Sequence, residues 1–288
     1  MCCKASVRIN KIKHTAEFEV VKLNELFEII IPHFDTYPVF CAKLHAFNLF
    51  KKIVIALVNK EKRTIEGRRE LLKIALSMNR ASNRNLEIIE SLYNKLGIFN
   101  IEDQSLIINK FKEITTPIYD EFISGIIDGD GSFYISFQQN GEIKTGFNIT
   151  NDLDSKDLLE GIQKQLQNIG SIHKGTKNEL VYTVTGLNQI NNILIPFMDK
   201  NPIFSERASH YLKFKTVSQI LKTENPLSLQ TKLNIVELAY NMNKKGKHRT
   251  LSKSQYRKII LTRIVKGISS SLICLFELPG EEEEVSII

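Results

Sequence analysis

The sequence predicts an α+β fold with a duplicated αββαββα unit, antiparallel sheets and a first copy that is truncated at its N-terminal side. Two observations lead to this prediction. Residues 22–40 align without a gap on residues 186–204, at a constant offset of 164. In the second half of the chain, strand patterns of period 2 stand between segments of helical periodicity, which is the pattern of an α+β domain with antiparallel strands.

The repeat rests on matched residue types as well as on its length. Pro32 and Pro38 coincide with Pro196 and Pro202, and the register continues as far as Asn79 over Asn243. Ungapped agreement of this length with matched prolines indicates a duplicated domain. The counterpart of residues 117–166 would precede residue 1, so we expect one and a half repeats.

The second copy shows its elements in order. Residues 118–127 are apolar on most faces without a proline, which predicts a buried helix. Apolar and polar residues alternate through 133–137, turn residues follow at 139–142, and a second strand is predicted at 144–151. Beyond them we predict an amphipathic helix at 152–168, strands at 171–174 and 180–185, and helices at 187–195, 205–222 and 228–243.

The first copy should contain only the later elements of the unit. Strands are predicted at 7–10 and 17–21, followed by helices up to residue 79. The predicted domains are therefore the C-terminal half of the first repeat at 1–80, a linker at 81–116 with a helix at Leu86–Leu96, the complete second repeat at 117–250 and a C-terminal tail at 251–288.

Composition narrows the classes of partner. The formal net charge is +7 and the pI is about 9.1, which favours a polyanion such as nucleic acid. The longest apolar runs are far too short to cross a membrane. The four cysteines have no zinc-ligand spacing. The basic stretch at 244–249 either contacts phosphates or is a solvated loop.

The strongest chemical signal lies where the buried helix meets the first strand. Residues 123–131 read Ile-Ser-Gly-Ile-Ile-Asp-Gly-Asp-Gly. Gly125 and Gly129 share one helix face and remove side chains from it, so a second helix can approach closely. Asp130 stands at the end of the helix, where its carboxylate can bind a hard cation through oxygen. The alternative is an ordinary helix C-terminus followed by a turn.

This motif closely resembles the one that names the LAGLIDADG homing endonucleases, and the turns at 35–38 and 199–202 are similar to that family too. The resemblance runs from about Arg8 to Asn243. It implies antiparallel sheets that form a DNA-binding saddle, and two paired motif helices whose acidic ends meet beneath the scissile phosphates. It also implies Mg²⁺ or Mn²⁺ as cofactor, with Asp130 and the Gly129 carbonyl as metal ligands. Gly125, Asp128 and Gly129 would form the helix interface, with Asp128 capping the helix.

The same resemblance assigns further catalytic positions. Asn151 matches the polar position that holds the catalytic water, and Lys43 and Arg207 match the basic positions near the phosphates. The alternation of the strands separately predicts an outward polar face that can read base edges in the major groove. Each of its residues could equally be a solvated strand residue: Ser132, Tyr134, Ser136, Gln138, Lys144, Asn148 and Thr150.

The function implied is site-specific cleavage of double-stranded DNA by metal-dependent hydrolysis of the phosphodiester backbone. The sequence contains one LAGLIDADG motif where monomeric members carry two. Three interpretations remain: the upstream part is encoded elsewhere, two chains associate through residues 118–129, or the chain is a decayed and inactive remnant. An intron-encoded maturase that binds intron RNA is the alternative function. The frequent Ile, Asn and Lys indicate an AT-rich organellar genome, a mitochondrion rather than a chloroplast.

Overall fold

The computed structural model describes residues 5–12, 15–40, 42–78, 86–97, 118–138, 141–242 and 252–267. The chain divides into two compact units, one of residues 1–117 with 154–161 and one of residues 118–153 with 162–288. The basic stretch at 244–249 and most of the predicted linker lie outside the described residues. The predicted domain boundaries stay a prediction.

The first unit begins with an antiparallel strand pair. β1 (Ser6–Asn10) and β2 (Thr15–Glu19) pair so that Val7 lies opposite Phe18. Both side chains are exposed, at 68% and 71% of their surface. The helical part of the unit follows: α1 (Leu23–Glu25), a π turn (Leu26–Ile30), α2 (Ile31–Thr36), α3 (Ala42–Val58), a 3-10 turn (Glu61–Arg63), α4 (Ile65–Ser77) and α5 (Leu86–Leu96).

The second unit contains a four-stranded antiparallel sheet of order β3-β4-β6-β5. This confirms the predicted α+β class. Its elements are α6 (Asp120–Asp130), β3 (Gly131–Phe137), β4 (Ile143–Asp152), a 3-10 turn (Leu153–Ser155), α7 (Lys156–Gln165, divided between the units), β5 (Ser171–Lys174), β6 (Glu179–Val184), α8 (Leu187–Gln189), a π turn (Ile190–Leu194), α9 (Ile195–Lys200), α10 (Arg207–Thr223), α11 (Leu229–Tyr240) and α12 (Lys253–Gly267).

One face of this sheet is the core of the unit. Phe133, Phe147 and Tyr182 point to it from three strands and are at most 2% exposed. Helix α10 covers this face, because the rings of Tyr211 and Phe214 lie 5.4 and 5.2 Å from the ring of Phe133. The alternation that predicted these strands therefore separates an aromatic core from an outward face.

The two units contain the same side-chain contacts at positions 164 residues apart, the offset that the sequence predicts. Asp35 pairs with Lys51 at 2.5 Å, and Asp199 pairs with Lys215 at 2.6 Å. Thr64 caps α4 by accepting from the Gly67 amide, as Ser228 caps α11 by accepting from the Thr231 amide. These matched contacts join residues at equivalent positions of the alignment, and they support the duplication.

Strand β2 begins and ends two residues before its predicted range, and α7 begins four residues after the start predicted for it. Two further elements differ from the predictions. Helix α6 runs three residues beyond its predicted end to Asp130, and β3 begins at the next residue. A Cβ on Gly131 would lie 2.5 Å from the Ile127 carbonyl oxygen, so this direct junction requires glycine.

The second difference is in the predicted C-terminal tail, which contains α12. The Tyr256 ring lies 4.8 Å from that of Phe137 and 5.8 Å from that of Tyr240, and Ile260 is 5% exposed. These contacts pack α12 against β3 and α11. The amphipathic pattern of α12 is too weak to predict them. None of the helices in the described ranges is long and apolar enough to cross a membrane.

Candidate active site

A cleft of about 490 Å³ opens where α6 ends. The last turn of α6 and the start of β3 form one side, and the first residues of α10 with the preceding loop form the other. The cleft therefore combines three acids, a guanidinium and an imidazole with two hydroxyls and backbone groups. Its lining residues are Asp128, Asp130, Gly131, Ser132, Phe133, Ser205, Glu206, Arg207 and His210.

Asp128 joins the two sides of the cleft. Its carboxylate accepts hydrogen bonds from the amides of Phe204 and Ser205 at 3.2 and 3.1 Å, and Arg207 donates to its carbonyl oxygen. Burial would raise the pKa of the Asp128 carboxyl, but the hydrogen bonds from Ser205 and Phe204 and the charge of Arg207 lower it below the usual 3.8. This carboxylate is thus ionised at neutral pH and engaged by the 204–205 loop.

Asp130 differs from Asp128 because its carboxylate is exposed in the cleft and has no hydrogen bond or ion pair within the described residues. An exposed carboxylate suits a hard, hydrated cation such as Mg²⁺, which takes one or two protein oxygens and completes its shell with water and phosphate. The described residues include no group of three or more His, Cys, Asp or Glu side chains that could hold a metal ion. The donors therefore fit a cation shared with a phosphate, and they do not fit an all-protein cage.

The first turn of α10 brings basic groups to the cleft. Arg207 is half-buried, and its amide donates to the Ser205 hydroxyl at 3.1 Å. His210 lies one turn further on and is half-buried as well. Burial lowers the pKa of His210 below its usual 6.5, opposed by the negative charge of Glu206 and helped by Lys213 and Arg207. The imidazole is therefore neutral at neutral pH.

The outward face of the sheet carries the predicted polar residues. Ser132 lies opposite Asn148, and Ser136 lies opposite Lys144. Tyr134 is half-buried, because its ring lies over Gly146, where a Cβ would come within 2.2 Å of the ring. Gln138 and Thr150 lie at the ends of this surface, just past β3 and near the end of β4. The structure thus places all seven predicted side chains at one face.

The predicted catalytic residues are only partly brought together. Asp130 and Arg207 line the same cleft, whereas Asn151 is not among its lining residues. The side-chain oxygen of Asn151 accepts from the Asp152 amide at 3.0 Å, and the residue pairs with Leu180 on the parity of the core residues. Lys43 is exposed in the first turn of α3, which belongs to the first unit.

The predicted helix interface is an open surface. A Cβ on Gly125 or Gly129 would meet no atom of the described residues within 4 Å, and both glycines are exposed. The neighbouring 201–205 loop is tied to α6, since the Ser124 hydroxyl bonds to the carbonyls of Asn201 and Pro202. This loop carries Phe204, which is 89% exposed although its counterpart Phe40 is 4% exposed.

Sequence reasoning missed several residues of the site. Ser205, Glu206 and His210 reach the cleft because the loop before α10 folds back on Asp128, and no periodicity predicts this contact. The outward face also continues onto the other two strands with Ser171, His173 and Thr183, since Thr183 lies opposite Asn148 and Ser171. The alternation in β6 could have indicated this continuation.

Comparison with known proteins identifies the family. The sequence profile of the LAGLIDADG endonuclease family matches residues 3–54 and 123–218, which together are just over half of the chain. The chain belongs to the LAGLIDADG endonuclease family. The profile covers the loop and helix that line the cleft as well as the motif helix.

Two curated relatives are fungal. A probable intron-encoded endonuclease 2 of Neurospora crassa is 28% identical over 235 residues, which are 80% of this chain and 51% of that protein. A probable intron-encoded DNA endonuclease 1 of Mycosarcoma maydis is 25% identical over 194 residues, which are 66% of this chain and 71% of that protein. The chain spans about half the length of the Neurospora relative.

Solved structures share the fold. A lysine-to-alanine mutant of I-SmaMI has a TM-score of 0.69 and 26% identity, covering 83% of this chain and 80% of that one. I-SmaMI bound to uncleaved DNA target in the presence of calcium ions has a TM-score of 0.69 and 24% identity, covering 83% and 79%. At 24% identity, the similarity to the DNA-bound structure supports the fold alone.

Proposed function

We propose that this chain is a site-specific double-stranded DNA endonuclease that hydrolyses phosphodiester bonds with a divalent metal ion. One observation carries the proposal: the carboxylate of Asp130, without a described partner, and the guanidinium of Arg207 line one cleft at the end of the family's motif helix. A carboxylate binds a hard cation and a guanidinium binds a phosphate, so the cleft suits a phosphodiester. The names of the relatives favour this activity over the maturase alternative, in which intron RNA would be the partner.

The site residues take separate roles in this proposal. Asp130 and the Gly129 carbonyl would hold Mg²⁺ or Mn²⁺, which when bound activates water and stabilises the leaving oxygen. Arg207 binds the scissile phosphate, and Lys43 does the same in the first unit. Asn151 orients water through its amide after a small rearrangement from its present bond to Asp152. Asp128 positions the 204–207 segment.

The outward sheet face is the proposed DNA surface. Its hydroxyls and amides can donate to and accept from base edges, which gives sequence choice, while Lys144 contacts phosphate. Ser132 lies both at this face and in the lining of the cleft. The base pairs contacted by the sheet would therefore lie directly beside the phosphodiester bond that is cleaved.

We also propose that α6 packs against the same helix of a second copy. Its face offers Gly125 and Gly129 without side chains and lies beside the exposed ring of Phe204. Burial of apolar surface contributes about 25 cal/mol per Å², so leaving this surface in water is unfavourable. Association through residues 118–129 would bring two Asp130 carboxylates together.

The proposed cellular location is a mitochondrion. Both relatives above are named as intron-encoded and come from fungi. The frequent Ile, Asn and Lys of this chain indicate an AT-rich gene, which suits an organellar intron. Cell fractionation with an antibody against the chain tests this, and recovery of the chain outside mitochondria would contradict it.

DNA binding is tested by titrating labelled random-sequence duplexes at several salt concentrations. A protein that neutralises 6–10 phosphates loses roughly 10³–10⁵ in affinity between about 50 and 200 mM salt. Affinity that does not depend on salt would remove the proposed surface. Preference for a structured intron RNA over duplex DNA would instead favour the maturase function.

Catalysis is tested with a plasmid library that carries randomised inserts, incubated with Mg²⁺, Mn²⁺ or EDTA. Cleavage should require the metal, and Asp130→Asn should abolish it while duplex binding in Ca²⁺ is retained. Asp120→Asn is the matched control, because Asp120 lies on the same helix and pairs with Lys200 away from the cleft lining. Cleavage in EDTA, or full activity of Asp130→Asn, would show that the site is elsewhere.

A further inference from the structure

His210 is a side chain of the cleft to which the family motif gives no role. It stands one turn after Arg207 on α10, is half-buried, and lines the same cleft as Asp130. Its counterpart at the 164-residue offset is Ala46, and α3 forms its helix around that alanine. The fold of the repeat therefore does not require an imidazole at this position.

The surroundings of His210 determine its protonation. Glu206, Arg207 and Lys213 act on it from its own helix, and the acids Asp128 and Asp130 line the cleft from α6. Burial lowers the pKa of His210 below 6.5; the charge of Glu206 opposes this shift, and the charges of Lys213 and Arg207 act in the same direction as burial. A neutral imidazole has one nitrogen whose lone pair can accept a proton.

The other cleft groups are poorer proton acceptors. The guanidinium of Arg207 offers hydrogen-bond donors and no acceptor, and the Asp128 carboxylate is engaged by two backbone amides. Within the described part of the chain, His210 also belongs to no three-ligand metal cluster. The Glu206 carboxylate is exposed, so it is less shielded from solvent than the half-buried His210.

We propose that His210 is the general base that takes a proton from the attacking water, an inference that rests on the endonuclease function proposed above. The water oxygen forms a bond to phosphorus with its lone pair, and one of its protons moves to the imidazole. The phosphorus–oxygen bond to one deoxyribose breaks, and its electron pair leaves with that oxygen. The departing oxygen takes a proton from solvent and the imidazolium releases one to solvent, which regenerates neutral His210 and leaves a phosphate monoester and an alcohol.

The test is the single-turnover cleavage rate of a target duplex, recovered from the plasmid library, as a function of pH. The neutral imidazole is the active form, so the wild-type rate should rise with pH through an inflection below 6.5 and then level off. His210→Gln should lower the plateau by about 10²-fold or more and abolish the inflection, with duplex affinity in Ca²⁺ unchanged. NMR titration of the His210 ring in the metal-free protein should give a pKa below 6.5.

Three further variants complete the design. His33→Gln is the matched control, since His33 is outside the cleft lining and lies against Phe34 and Tyr37. Added imidazole should restore part of the rate of His210→Gly, which also covers the case in which His210→Gln folds poorly. His210→Lys should stay slow, whereas full activity of this variant would mean that His210 only contacts phosphate.

The two proposals fail in different ways. A wild-type rate and pH profile in His210→Gln would overturn the role of His210 and leave the endonuclease function standing. Loss of the inflection and of most of the plateau rate in Glu206→Gln, with His210→Gln unaffected, would assign the base to Glu206 and overturn the proposal. A wild-type protein that cuts no sequence of the library with Mg²⁺ or Mn²⁺ would overturn both.

Discussion

Lys215 donates from its Nζ to both carboxylate oxygens of Asp199, at 2.8 and 2.6 Å, and so ties α10 to the end of α9. The Tyr211 hydroxyl donates to the same carboxylate at 2.6 Å. Because the Tyr211 ring packs on Phe133 at the start of β3, this network links the helix that carries Arg207 to the strand that follows Asp130.

The first prediction concerns stability and pH. Burial would raise the pKa of Asp199, but bonds from Lys215 and Tyr211 lower it below 3.8. A carboxyl whose pKa is lower in the folded than in the unfolded state stabilises the fold at pH values above the unfolded-state pKa. This stabilisation is lost as the pH falls from the unfolded-state pKa through the folded-state pKa. Asp199→Asn should therefore cost about 1 kcal/mol at neutral pH, discounted for partial exposure. Urea unfolding should show wild type and variant converging as pH falls through 3.8.

Asp35→Asn is its matched control, because Asp35 has the equivalent Lys51 and Phe47 stands in place of Tyr211. Without the tyrosine hydroxyl bond, its cost should be smaller. An equal or larger cost for Asp35→Asn would contradict the importance of that bond.

The second prediction concerns Asp128. Asp128→Asn removes the charge that accepts from the Phe204 and Ser205 amides, so the loop before Arg207 should loosen. We expect a loss of about 1 kcal/mol in unfolding free energy. Cleavage should slow about tenfold, which corresponds to about 1.4 kcal/mol in the barrier, with duplex affinity nearly unchanged. Unaltered stability and rate together would show that the loop is held by other contacts.

The third prediction concerns the outward face. Gly146→Ala places a methyl group within 2.3 Å of the Tyr134 hydroxyl, so the ring must move off the sheet. Duplex affinity or sequence preference should change with little loss of fold. In a Tyr134→Ala background the same substitution should have almost no effect, and a double-mutant cycle measures this coupling. Additive effects would mean that Tyr134 does not lie over Gly146 in solution.

The fourth prediction concerns association. Gly125→Leu adds a side chain where a Cβ meets no described atom, and leucine favours helix over glycine by nearly 1 kcal/mol. The fold should be retained, while a second α6 can no longer approach. Light scattering should show wild-type self-association and a monomeric variant. A wild-type monomer, or a variant that associates equally well, would contradict the proposed interface.

The sequence predicted β3 and β6 closely because core and surface residues alternate along them. β5 occupies the predicted range 171–174, and β3 and β4 differ by a few residues. The motif and the repeat predicted Asp130 and Arg207 as site residues, and both line the cleft. The placement of Ser132 and Asn148 on one outward face followed from strand parity.

Other features depend on tertiary contacts that the sequence pattern does not contain. His210 reaches the cleft because the 204–205 loop folds onto Asp128, which is 76 residues away in the chain from Phe204. Tyr134 has the parity of an exposed residue, yet the missing side chain at Gly146 lets its ring lie down on the sheet. Helix α12 is held by the rings around Tyr256.

The π turns at Leu26–Ile30 and Ile190–Leu194 bear on the order of evolutionary events. After each turn a backbone amide donates to a carbonyl five residues earlier, from Ile31 to Leu26 and from Ile195 to Ile190. A proline follows Ile31 in the first copy and Ile195 in the second. A π turn corresponds to one extra residue in a helix. The same insertion at the same place in both copies needs only one event if it preceded the duplication. The ancestral unit therefore already contained the widened turn when its gene was copied, and the two halves have diverged around it since.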